Sequence, residues 1–104
     1  MSPQPSYSVD EARELLPQIR ATLLRLAVER RRLESGDAED ADDLRLLISH
    51  LESLGVVVRD LEAGLVDVPT LRDGEPAWLC WRLADPDIAF WHSTSEGFAS
   101  RRPL

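Results

Sequence analysis

The apolar residues of this chain change period at Gly55, and that break limits what each half can become. Before it, Ala12, Leu16, Ile19, Leu23, Leu26 and Leu33 recur every three or four positions, with Arg30 interrupting the row. Such spacing keeps one stripe on one helix face, and Leu15 and Leu24 widen it. A second row, Leu44, Leu47, Ile48, Leu51 and Leu54, ends at Gly55, a residue suited to closing a helix. Beyond Gly55 the apolar runs are short, alternating and rich in β-branched and aromatic residues, at 56–58, 65–68, 78–83 and 88–92.

The boundaries carry their own signals. Ser8 and Glu11 have capping-box spacing, and Tyr7 stands where it can staple against Ala12. Pro17 removes one helical hydrogen bond, which predicts a bend or a late helix start. Gly36 closes the first helix, and five acids within 37–43 predict a solvated turn. Pro69 predicts the end of a strand, while Asp73-Gly74 and Ala84-Asp85-Pro86-Asp87 predict tight turns. Connections this short exclude crossovers, so three or four strands should form an antiparallel meander.

The expected fold is therefore α+β. An antiparallel helical hairpin over 7–54 packs on a small antiparallel sheet over 55–104, and residues 1–6 form a loose arm. With 104 residues, the chain is one domain. A net charge of −7 argues against nucleic-acid binding, which needs a cationic surface. A single cysteine excludes an internal disulfide, and no apolar run reaches the ~20 residues of a membrane span. No charged and then apolar leader opens the chain, so a cytoplasmic protein with no membrane partner is expected. The first helical stripe is long for a lone hairpin. That suggests a homodimer through the N-terminal helices, with Arg30 either at the hairpin rim or in a contact across the dimer.

The last hairpin holds the chemistry. Alternation puts Leu79, Trp81 and Leu83 on one face, and Trp78, Cys80 and Arg82 on the other. In the returning strand Ala89 and Trp91 point one way, while Ile88, Phe90 and His92 point the other. If the turn is symmetric about Asp85, Cys80, Arg82 and His92 share a face. Three readings follow. Cys80 and His92 are two metal ligands, zinc for example, completed by Asp60 or Asp67. Alternatively they are a nucleophile and base, with Arg82 holding an anionic substrate. In the third reading both are structural. Shared zinc ligation needs sulfur and imidazole within about 8 Å of each other. Trp78 beside Arg82 suits a ligand pocket, and His50 reads as a helix-edge residue.

The segments Tyr7–Pro17, Arg59-Asp60, Gly64–Pro69, Leu79-Cys80-Trp81-Arg82, Trp91-His92, Gly97-Phe98 and Arg102-Pro103-Leu104 resemble a family of small prokaryotic proteins. It is catalogued as domain of unknown function 2203 and has no established activity. The resemblance implies that Asp60, Asp67, Cys80, Arg82, His92 and Arg102 occupy motif positions. The chain departs from the family at Asp85, where Glu is usual, and at Val68, where Phe is usual. The sequence thus points first to a non-enzymatic binding or interaction module, with ligand contacts from Trp78, Arg82 and Arg102. The alternative is metal-binding or thiol-based activity at Cys80 and His92, with Asp60 or Asp67.

Overall fold

The computed structural model describes residues 5–37 and 41–104. Two helices, α1 (Val9–Glu34) and α2 (Asp42–Ser53), precede five strands. These are β1 (Val57–Asp60), β2 (Leu65–Arg72), β3 (Glu75–Arg82), β4 (Phe90–Ser93) and β5 (Arg102–Pro103). The strands pair in chain order, each antiparallel to the next. The α+β class and the helices-then-meander order are those the change of period predicts. Residues 1–4 of the expected arm and 38–40 of the acidic turn lie outside the described residues. No helix among the described residues is long and apolar enough to cross a membrane.

The capping box forms as the spacing requires. Ser8 Oγ accepts the Glu11 N–H at 3.1 Å, and Glu11 Oε1 accepts the Ser8 N–H at 2.9 Å. Tyr7 then fastens the helix start to the rest of the fold. Its hydroxyl donates to Leu54 O at 2.7 Å, and its N–H donates to Pro69 O at 2.9 Å. From there α1 runs unbroken through Pro17.

Ala12, Leu16, Ile19, Leu23 and Leu26 bury their stripe against Leu51, Val56, Val66, Val68, Leu79, Trp81 and Ile88. The sheet therefore has one face closed by the helices and a second face turned away from them. The helical stripe is consumed within the chain. Leu24, one position past Leu23 and so rotated about 100° around the helix, is 52% exposed and does not widen the stripe. Arg30 sits at the hairpin rim, pairing with Glu34 at 3.5 Å and with Glu62 of the β1–β2 turn at 3.6 Å.

Three expectations about strands are corrected. β2 does not stop at Pro69 but continues to Arg72. Beyond Asp67 it has no β1 partner, and the Pro69 carbonyl turns to that open side to meet Tyr7. The missing N–H faces the same way, so the ladder to β3 is intact. A fifth strand forms where none was expected, since Arg102 and Pro103 are too few to show a pattern. Ile88 precedes β4 rather than belonging to it, and packs into the helix-facing core instead of on the Cys80 face.

The β2–β3 turn is built as Asp-Gly predicts, with φ of 52° at Asp73 and 79° at Gly74. Gly64 is more tightly placed: φ is 65°, and a Cβ would lie 2.6 Å from Leu83 Cβ. Gly74 shares the positive φ, but a Cβ there would meet nothing within 4 Å. Gly74→Ala should cost about 1 kcal/mol, the backbone term alone. Gly64→Ala should cost at least about twice that in urea unfolding, because Leu83 must also move. Equal losses would show that Leu83 yields freely.

Candidate functional site

The outer face of the sheet, away from the helices, is assembled by register. Asp67 on β2 lies directly opposite Cys80 on β3, and Trp78 lies opposite His92 on β4. The β3–β4 ladder pairs Cys80 with Phe90 and Leu79 with Trp91, so it is centred on Asp85. Asp85 also holds the turn: its carboxylate accepts the Arg82 N–H at 3.2 Å, and its carbonyl accepts Trp81 Nε1 at 3.1 Å. From α1, Arg20 donates to Leu83 O at 2.8 Å and lies over the Trp81 ring at 5.0 Å. The turn is thereby fixed from both sides.

This register gathers Asp67, Cys80 and His92, all buried, with one ligand atom of each within 4.8 Å of the others. The Cys80–imidazole separation is well inside the 8 Å limit. Asp67 is the centre of the group. Its Oδ2 accepts Arg59 Nε at 2.8 Å and contacts His92 Nε2 at 3.0 Å, and it lies across the β2–β3 ladder from Cys80. At the other ring nitrogen, His92 Nδ1 donates to Ser93 O at 2.8 Å. A carbonyl only accepts, so Nδ1 carries a proton and Nε2 is the nitrogen that can offer a lone pair to a cation.

This arrangement does not suit nucleophilic catalysis. His92 Nε2 faces Asp67 Oδ2 at 3.0 Å, so the imidazole is paired with the carboxylate rather than with the thiol. Burial pushes the Cys80 thiol up to about 12, and the neighbouring Asp67 charge pushes the same way. A neutral thiol is a poor nucleophile. A bound cation reverses this logic, because a coordinating thiol is deprotonated, the metal taking the place of a proton released to solvent.

Beside the cluster lies a cleft of about 400 Å³, lined by Arg59, Asp67, Trp78, His92 and the loop residues Thr94, Ser95, Glu96 and Gly97. Arg59 lies over the Trp78 ring at 5.3 Å. The other sequence candidates stand elsewhere. Asp60 is exposed and accepts the Ala63 N–H at 3.1 Å, outside the cluster. Arg82 is exposed toward the far end of β3, where it lines a small pocket with Cys80, Asp85, Phe90 and Arg101, away from the cleft. Arg102 lies over Trp91 at 5.5 Å and pairs with Glu96 at 3.6 Å. His50 is at the helix edge, 2.6 Å from Gln18 Nε2. Arg59 is the site residue that the sequence pattern did not single out. A signal for it exists, since it lies two positions from Val57, which pairs with Asp67 across the β1–β2 turn.

Over residues 28–104 the chain matches the family described as uncharacterized conserved protein (DUF2203). The chain belongs to this family. The matched span holds every member of the cluster and the cleft, whereas the Tyr7–Pro17 motif falls outside it. Comparison with curated proteins and with solved structures returned no match.

The raised thiol has two measurable consequences in metal-free protein. Alkylation of Cys80 by iodoacetamide at pH 8 should be at least about tenfold slower in the folded protein than in urea. The unfolded thiol titrates near 8.5, so the stability tied to the protonated thiol is complete below that pH. It is lost as pH rises from about 8.5 toward 12. Urea stability should fall across the accessible part of that window, and Cys80→Ala should flatten the slope. An alkylation rate equal to that in urea would mean that the thiol is not shielded.

Proposed function

We propose that this protein is a metal-binding module, in which Asp67, Cys80 and His92 hold one transition-metal ion on the outer face of the sheet. The observation that carries this reading is three buried donors of different chemistry converging within 4.8 Å. The Ser93 carbonyl adds support by orienting His92 from behind, as partners of ligating histidines commonly do. Nothing else in the fold calls for a buried aspartate, histidine and cysteine side by side, since the core on the opposite face is complete without them.

The donor set suits zinc. Thiolate and imidazole are borderline to soft ligands, and three protein donors leave a fourth tetrahedral position for water or another ligand. Tetrahedral bonds of about 2.0–2.3 Å place donors roughly 3.3–3.8 Å apart, so a donor pair at the 4.8 Å limit would close by about 1 Å, while Nε2 and Oδ2, at 3.0 Å, would open slightly. An ion seated between Nε2 and Oδ2, which lie 3.0 Å apart, would bind both atoms. Asp67 is the carboxylate for this role, and Asp60 is not.

Elemental analysis of protein purified without an affinity tag should find one equivalent of transition metal. Asp67→Asn, Cys80→Ser and His92→Ala should each lose it, while Asp60→Asn keeps it. Zinc at 100 times its Kd should add about 2.7 kcal/mol to stability. A folded wild type that takes up no zinc on dialysis would sink the proposal.

Self-association through the helices is a second reading, favoured by two residues. Leu24 and Val28 are 52% and 48% exposed and stand one turn apart on α1. In sedimentation equilibrium, a dimer of wild type converted to monomer by Leu24→Glu would support it. A wild-type monomer at high concentration would dispose of it.

A further inference from the structure

The cleft beside the cluster has a chemistry of its own. Arg59 spends Nε on Asp67, and its side chain remains 45% exposed. Its guanidinium lies over Trp78, which leaves the in-plane N–H edge available to a planar acceptor. Thr94 and Ser95, both hydroxyl residues, line the same cleft, the Ser95 hydroxyl lying 3.1 Å from that of Ser93, and Asp67 and His92 bring the proposed metal site to it. A volume of about 400 Å³ falls within the range of small-molecule sites.

Charge selects what enters. A divalent ion would be neutralised by the Asp67 carboxylate and the Cys80 thiolate, leaving the Arg59 cation in excess. Glu96, the other acid lining the cleft among the described residues, is already engaged by Arg102 at 3.6 Å and by the Ser93 hydroxyl at 3.1 Å. An anion therefore meets a cation, hydroxyl donors and an open metal position within one small cleft, and a cation meets repulsion.

We infer that the cleft binds a small oxyanion, a carboxylate or phosphate group, with one oxygen on the metal and another on the guanidinium of Arg59. The inference rests on the metal-binding reading. Arg59 is placed for it because a guanidinium presents paired donors at the spacing of two oxyanion oxygens. Trp78 would flank the body that carries the group, so small molecules with a flat apolar portion should be preferred.

Cobalt(II)-loaded full-length protein tests this and keeps the two readings apart. The near-ultraviolet thiolate–cobalt band reports the metal site, and the visible bands report the open position. Inorganic phosphate and benzoate are titrated separately, and the lower half-saturation names the oxyanion class. The expected result is a saturable visible shift in wild type, with half-saturation at least tenfold higher in Arg59→Gln and intermediate in Arg59→Lys, while the thiolate band is intact in all three. A thiolate band with no visible response to either anion, or equal half-saturation in wild type and both variants, overturns the anion site and leaves the metal site standing. Absence of the thiolate band in wild type overturns both.

Discussion

The register of the β3–β4 hairpin is the constraint on which the rest of the molecule depends. Strand side chains alternate between faces, so a slip of one residue exchanges the two faces of a strand completely. Here that exchange would push Trp81 and Leu79 out of the helix-facing core and drive Cys80 into it. Apolar burial alone opposes this strongly, at roughly 1.5–3 kcal/mol for each large side chain. The turn adds a local restraint through Asp85, and Arg20 ties that turn to α1. The helices therefore do more than cover the sheet: they decide which residues are left on its far side.

What is left there is costly. Asp67 and His92 are buried to 2% and 4% exposure, and a buried carboxylate without partners would be strongly destabilising. Asp67 meets that cost by accepting from Arg59 while contacting His92. An all-apolar arrangement of similar volume is often no less stable, so stability alone does not account for this group. The proposed metal site would give it a purpose.

Much of this was legible in the sequence, for identifiable reasons. The 3–4 spacing up to Leu54 and the alternation beyond Gly55 gave the two halves, because helices and strands bury their faces with different periods. Symmetry about Asp85 put Cys80 and His92 on one face, and the ladder has that register. Asp60 and Asp67 could not be separated in advance. A bulge between Val58 and Asp60 breaks the alternation that would rank them. Arg82 and Trp78 share a face by parity, yet they lie four residues apart along the strand, and Arg59 arrives over Trp78 from another strand. Parity gives the face but not the position along it. Ile88 and β5 escaped because a residue just outside a strand, and a strand of two residues, have no period to read.

One member of the cluster leaves no letter in the sequence. The group that orients His92 is the main-chain carbonyl of Ser93, which every amino acid supplies alike. Mutational drift at position 93 can therefore change the side chain without disturbing the imidazole, provided that the strand pairing holds. The durable imprint of this site across descendants should be three side chains and a backbone conformation, so a search for it by shape would reach further than a search by spelling.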